Sequence, residues 1–262
     1  MRAILTLLVL SSQDIAFYGL KLFSGPIFDA INPSGGLLVN NGYLLINNLL
    51  ALIGYYGCSM IIDYPRVGRR NVQTVFFVLV SIVFLIMSVM FDSLSPTTLI
   101  VLFFLSSVLG QFVNVTTYVM AAETYPAELR GTLHGLSAFL GKSGALVATV
   151  VFGTVQTERI FLICGITGLL GAALTYMFSM DMTHVSLSEH DAQLELYLEG
   201  RVDEYKGLLN KPCHLSNFQR LTGLHGEYDP DWARKFVMKE STEWASKKTR
   251  RECGQLGEIR EA

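Results

Sequence analysis

The sequence predicts an all-α membrane protein, with six membrane-crossing helices over residues 1–180 and a helical or partly disordered cytoplasmic tail over 181–262. Three observations predict it. The first 180 residues carry only 15 of the chain's 42 charged side chains, so the chain changes solvent near Met180. Apolar runs of about 20 residues, the length that crosses roughly 30 Å of hydrocarbon, recur between short polar breaks. The breaks hold turn-forming residues, and their cations gather in every second break, on one side of the path.

In chain order the spans are expected at 3–22, 38–62, 72–91, 97–121, 132–155 and 160–180. They are separated by Ser24–Gly36, Asp63–Arg70, Phe91–Pro96, Glu123–Gly131 and Gln156–Arg159. Met1-Arg2 before an apolar run resembles a secretory signal, but Asp14 inside the run and the lack of a small-residue cleavage pattern argue against one. Arg2, Arg66, Arg69, Arg70 and Arg130 all fall on one side of the alternating path, which the distribution of cations makes cytoplasmic. An even number of spans returns the C-terminus to that side, so both termini are expected in the cytoplasm. Asn114-Val-Thr matches a glycosylation sequon but lies inside a span, out of reach of the modifying enzyme. In the tail, Ser188 is a candidate helix cap and Gly200 a stop. Leu194, Leu196 and Leu198 supply apolar surface, and Asp229-Pro230-Asp231 has the composition of a helix start carrying Trp232 and Phe236. Lys247, Lys248, Arg250 and Arg251 form a short cationic run that can meet an anionic leaflet.

Composition excludes several functions. A net charge of −2 lacks the basic footprint that phosphate-backbone binding requires, so nucleic acid is not a partner. The four cysteines show no C-x-x-C spacing and no cluster with histidine, which argues against a metal site, a cofactor or a disulfide framework. Gly141-Lys142-Ser143 ends like a phosphate-binding loop, but Leu136 stands where that motif needs glycine, and no strand precedes it. Gly131, Gly135, Gly141, Gly144 and Ala145 instead give this helix the small residues of close helix packing.

The polar residues at membrane depth are the functional candidates, because a charge there costs at least about 2.5 to 3.5 kcal/mol on insertion scales. Asp14, Tyr18 and Lys21 share one helical face. Burial disfavours the ionised carboxylate, so Asp14 can exchange a proton and, when protonated, donate a hydrogen bond to an anion. A structural pair with a buried cation such as Lys142 is the alternative, and Lys21 can simply reach the headgroups. Gln111, Asn114 and Tyr118 form a second stripe, facing either a cavity or a neighbouring helix.

Two loops resemble those of the major facilitator superfamily. Asp63-Tyr64-Pro65-Arg66-Val67-Gly68-Arg69-Arg70 is similar to its D-R-x-G-R-R loop with two residues inserted, and Glu123-Thr124-Tyr125-Pro126 with Arg130-Gly131 to its E-x-[FY]-P-x-x-x-R-[GS] loop. More selective are Asp14-Ile15-Ala16-Phe17-Tyr18-Gly19, Asn114-Val115-Thr116-Thr117-Tyr118, the stretch His134–Ala145, and Ser186-Leu187-Ser188-Glu189. These resemble the seventh, tenth and eleventh helices and the segment after the last helix of the phosphate:proton symporter family. Leu10 stands where that family places a tryptophan, and Phe112-Val113 replaces its Gly-Pro.

The resemblance implies one six-helix half, the C-terminal one, of a major facilitator bundle working by alternating access, with the N-terminal half supplied by the same gene or a partner chain. It implies inorganic phosphate and protons as transported species and no enzymatic activity. It carries phosphate contact to Asp14, Tyr18 and Asn114, charge balance near the site to Lys142, and proton coupling to Asp14. Asp63, Arg66, Gly68, Arg69, Arg70, Glu123, Pro126 and Arg130 become cytoplasmic gating residues, and the plasma membrane is preferred to an organelle. A sugar or organic-anion porter, and a non-transporting sensor or partner subunit, are the competing readings.

Overall fold

The computed structural model describes residues 24–33, 36–64, 67–223, 225–236 and 238. Its described residues are helical, without strands. Five helices are long and apolar enough to cross a membrane: α1 (Gly36–Ile61), α2 (Arg69–Val89), α3 (Pro96–Thr124), α4 (Ala127–Phe152) and α5 (Thr157–Phe178). At 1.5 Å rise per residue, the 21 residues of α2 already cover the hydrocarbon thickness. The chain is thus an integral, multi-pass membrane protein. The first expected span, 3–22, lies outside the described residues.

Helix ends differ from the expected spans in a systematic way. The break anticipated at 123–131 shrinks to Tyr125 and Pro126, because α3 runs on to Thr124 and α4 begins at Ala127. Arg69 and Arg70, read as loop, form the first turn of α2. Apolarity marks where hydrocarbon starts, whereas the backbone stays helical into the polar layer, where its hydrogen bonds are equally favourable. The break expected at 24–36 is corrected more strongly, since 24–31 is helical and buries Ile27, Phe28 and Ile31. Their i, i+1, i+4 spacing makes one apolar face, and the helix stops only at Asn32-Pro33. Ser95 caps α3, its hydroxyl accepting from the Thr98 amide at 3.3 Å with Pro96 behind it in the first turn.

Packing is uneven. α2 lies between α3 and α5, and α1 lies against the other side of α3. The main core gathers Ile27, Phe28, Phe84, Met87, Phe103 and Phe161 toward the end that carries the 90–95 and 153–156 turns. At the opposite end Phe76 and Phe112 stack with centroids 3.8 Å apart beside Cys58, Ile62 and Val72. α4 touches α3 lightly and leaves Phe139, Leu146, Val147 and Val150 exposed, an apolar face that requires lipid or further protein. Gly131 and Gly135, two of the glycines expected to allow close packing, do not enforce it. A Cβ at Gly131 or Gly135 would meet nothing within 4 Å, whereas one at Gly54 would press on Gln111 and the Val108 carbonyl, and one at Gly165 or Gly168 on Leu85 or Ser81.

The described part of the tail folds back onto the bundle. α6 (Leu187–Leu198) starts after Ser186, two residues before the expected cap, and ends where Gly200 takes a φ of 74°. Short 3-10 turns follow at Val202–Glu204 and Leu208–Asn210, then α7 (Asn217–Thr222), set by a capping box between Ser216 and Gln219. Residues 230–236 are helical as expected, with Trp232 stacked on Phe236 at 5.4 Å. Met180, Met182, Tyr205 and Leu209 form a small core of their own, against which Leu196 and Trp232 pack. The cations from Lys247 to Arg251 lie outside the described residues.

Candidate functional site

Two polar sites occupy neighbouring depths around α3. In the first, Asn114 is buried and its amide nitrogen donates to the Tyr55 hydroxyl at 2.9 Å and to Gln111 Oε1 at 3.4 Å. The site exists because Gly54 lets α1 approach α3 closely enough for Tyr55 to reach across. The expected stripe therefore divides. Gln111 and Asn114 are buried toward α1, while Tyr118, one turn on, is half exposed and faces α4. Tyr55 is a site residue that sequence reasoning missed, because its hydroxyl lies in a span that also carries Asn47, Asn48 and Tyr56 and nothing in the pattern singles it out. Gln73 of α2 also reaches α3, donating to Thr117 at 3.0 Å.

The second site is a cavity of about 40 Å³ between α3 and α4, lined by Thr117, Tyr118, His134, Ser137 and Lys142 among others. Lys142 opens on this cavity, on a different side of α3 from the Asn114–Tyr55 contact. Asp14 and Tyr18, the other expected phosphate contacts, lie outside the described residues, as do Leu10 and Lys21.

At the end bearing the tail, the two motif loops meet. Arg69 bridges them, pairing with Glu123 and, at 3.0 Å, with Asp63. Gly68 has a φ of 73°, which glycine adopts without strain, and a Cβ there would strike the Asp181 carboxylate. Arg70 is buried and donates to the Leu215 carbonyl at 3.0 Å. Pro126 precedes the first turn of α4, whose Ala127 amide donates to Asp191 of α6 at 2.6 Å. Arg130 turns back on its own loop, donating twice to the Tyr125 carbonyl at 3.2 Å, and pairs with no carboxylate among the described residues. The Tyr125 hydroxyl meets Ser137 at 3.0 Å, and burial pushes this phenol above its ordinary value of 10. Arg66 lies outside the described residues.

The tail closes this end. Asp181 holds the Thr183 hydroxyl, and that oxygen accepts the Arg69 amide at 3.0 Å, so the first turn of α2 borrows its cap from a residue more than a hundred positions away. His214 Nδ1 donates to the Asp181 carbonyl at 2.7 Å, and burial pushes its imidazole below the ordinary value of 6.5. Glu189 is buried against the Tyr205 hydroxyl and accepts from the Leu208 amide at 3.3 Å. Among the described residues no cluster of histidine, cysteine and carboxylate side chains suits a metal ion.

Long apolar helices joined by short turns, with polar groups held between them at membrane depth, define the class: a polytopic helical membrane protein. The chain's relatives say which. It is 31% identical over 211 residues to the rice protein named probable inorganic phosphate transporter 1-10, covering 68% of this chain and 37% of that one. It is 31% identical over 155 residues to the repressible high-affinity phosphate permease of Neurospora crassa, covering 55% and 27%. It is 30% identical over 149 residues to the inorganic phosphate transporter PHO84 of Saccharomyces cerevisiae, covering 54% and 25%. No family model matches the chain. The chain is a homologue of inorganic phosphate transporters, which belong to the phosphate:proton symporter family of the major facilitator superfamily. It spans between about a quarter and two fifths of the length of these relatives.

Proposed function

We propose that the chain forms the C-terminal half of a proton-coupled inorganic phosphate symporter that works by alternating access. The observation that carries this reading is the homology to transporters and permeases named for phosphate. The chemistry agrees with it. A membrane-embedded anion site needs hydrogen-bond donors with cationic compensation, and donors converge on α3 while Lys142 stands beside them.

In this reading Asp14 binds phosphate through a shared proton, and Tyr18 and Asn114 donate hydrogen bonds. Lys142 balances charge as the bundle rocks against an N-terminal half. No covalent bond is made or broken, so the protein is a carrier and no enzyme. Asp63, Arg66, Gly68, Arg69, Arg70, Glu123, Pro126 and Arg130 belong to a latch on the cytoplasmic side. The ion pairs of Arg69 are the contacts that part when this side opens. Both termini lie in the cytoplasm and the plasma membrane is the site of action.

Uptake of labelled phosphate by the complete gene product, with Asp14→Asn beside the wild type, tests the reading. Loss of uptake driven by a proton gradient is expected. Full proton-coupled uptake by the variant overturns the role of Asp14, and uptake of hexoses in preference to phosphate overturns the substrate.

A further inference from the structure

We propose that Lys211 and Arg220 hold the phosphate group of an anionic phospholipid, in the leaflet on the tail's side of the membrane, with Arg70 adding positive charge from behind. Cations from three elements converge on the turn at 211–215. Arg70 of α2 donates to the Leu215 carbonyl at 3.0 Å, and Arg220 of α7 donates to the Pro212 carbonyl. Lys211 opens the turn, its carbonyl accepting the His214 amide at 2.9 Å. None of these three cations forms an ion pair among the described residues. The carboxylate that acts on Arg70 is Asp181, and its Oδ1 already accepts the Thr183 amide and hydroxyl. Three permanent cations therefore stand against one carboxylate, and His214, whose imidazole burial pushes below 6.5, adds no charge at neutral pH. Arg70 is buried and its Nε has no acceptor, so the excess is not offset from inside the protein. An anion at the rim offsets it.

The depth of the cluster selects a lipid. The 22 residues of α5 rise about 33 Å, so its last turn emerges from the hydrocarbon at the headgroup layer. α7 is tied to that turn, because Asn217 donates to the Tyr176 carbonyl at 2.8 Å and the Phe218 ring lies 5.3 Å from that of Phe178. Arg220 on α7 and Arg70 in the first turn of α2 therefore sit at headgroup level, where a phosphodiester meets them. Tyr176 and Leu221 are exposed beside the cations, the pairing of aromatic, aliphatic and basic groups that suits a membrane interface. Below them Ile166, Leu169, Ala173 and Tyr176 follow at i, i+3, i+7, i+10 as an exposed stripe of α5, along which acyl chains lie. A soluble phosphate uses the cations alone, whereas a phospholipid uses both the cations and the stripe. Arginine adds geometry to charge, since its planar fork matches two phosphate oxygens at once. The site shares no residue with the Asn114 network or with the Lys142 cavity. It rests on the membrane-crossing helices and the docked tail, independently of what the protein transports.

The test uses the full 262-residue chain in two formats. In detergent, retention of fluorescent phosphatidylserine is titrated for the wild type, for Lys211→Ala, for Lys211→Ala with Arg220→Ala, and for Lys247→Ala with Lys248→Ala, which removes equal charge from another part of the tail. Affinity should fall about fivefold in Lys211→Ala and roughly twentyfold in the first pair, and stay at the wild-type level in the second. Phosphatidylcholine should not displace the lipid. In nanodiscs, hydrogen exchange at residues 211–222 should slow when phosphatidylserine is added to phosphatidylcholine. Equal retention by the wild type and the Lys211/Arg220 pair, equal loss in both pairs, or exchange that phosphatidylserine leaves unchanged overturns the site. Displacement of the lipid by inorganic phosphate or glycerophosphate at matched concentration assigns the cations to a soluble phosphate and overturns the lipid as ligand. None of these outcomes bears on the uptake test with Asp14→Asn.

Discussion

At the scale of single residues, glycine placement separates positions that look alike in sequence. Gly54 and Gly42 both sit inside α1, where alanine has the better helix propensity by about 1 kcal/mol. A Cβ at Gly42 meets open space, while one at Gly54 comes 2.8 Å from the Gln111 Cβ and closer still to the Val108 carbonyl. Gly54→Ala should therefore lower the thermal unfolding midpoint in detergent, by the 1–3 kcal/mol typical of overpacking, and Gly42→Ala should leave it equal or higher. Asn114 makes a functional counterpart. Removing one hydrogen bond to an anion costs roughly 1.5–3 kcal/mol, so Asn114→Ala should weaken phosphate recognition about ten- to a hundredfold in uptake KM. Asn114 was legible because an amide within an apolar run stands out. Its partner Tyr55 was not assignable, since the pairing depends on how closely α1 and α3 approach, and that distance is set by Gly54, a residue with no polar signature.

At the scale of elements, α2 begins with a borrowed cap. Gly68 offers no side chain to the first turn, and Thr183 accepts the Arg69 amide in its place. Thr183→Val should cost about 0.5–2 kcal/mol, and hydrogen exchange should quicken at residues 69–72 before the rest of α2 loosens. The same junction gives the tail a dependence on pH. His214 has a folded-state value below 6.5, so it is held neutral in the docked tail, whereas in the unfolded chain it takes up a proton near 6.5. The unfolded state then binds more protons, and stability falls as pH drops from about 6.5 toward the folded value. Exchange at residues 205–215 should accelerate over that window, and His214→Gln should flatten the response. The tail helices were partly readable. Gly200 and Asp229-Pro230 marked an end and a start correctly, but Ser216 and Gln219 have the spacing of a capping box that was passed over in a polar segment. What no pattern foretold is the docking itself, which depends on backbone carbonyls such as that of Leu215 receiving Arg70.

At the scale of the whole molecule, the contacts fix which ends of the helices share a side. Arg69 at the start of α2 pairs with Glu123 at the end of α3, and Ala127 at the start of α4 meets Asp191 of the tail. Asn217 donates to the Tyr176 carbonyl near the end of α5 at 2.8 Å. These residues form one polar end, and the turn holding Asp92 lies at the other, because α2 and α3 each run the full length of the bundle. The first end carries Arg69, Arg70 and Arg130, whereas Asp92, Glu158 and Arg159 bring no cationic excess to the second. Retention of positive residues on the cytoplasmic side supports the proposed orientation, with the tail inside. Single cysteines test the orientation directly. Asp63 and Asp92 are both exposed, so in a background carrying Cys213→Ser and Cys253→Ser each can be replaced by cysteine without disturbing the buried Cys58 and Cys164. A membrane-impermeant maleimide applied to intact cells should label the Asp92→Cys protein and spare the Asp63→Cys protein until the membrane is permeabilised. The opposite pattern would invert the topology and put the Arg69 latch outside. Labelling of both in intact cells would break the pairing of helix ends, because it would require the α2–α3 hairpin not to cross the membrane.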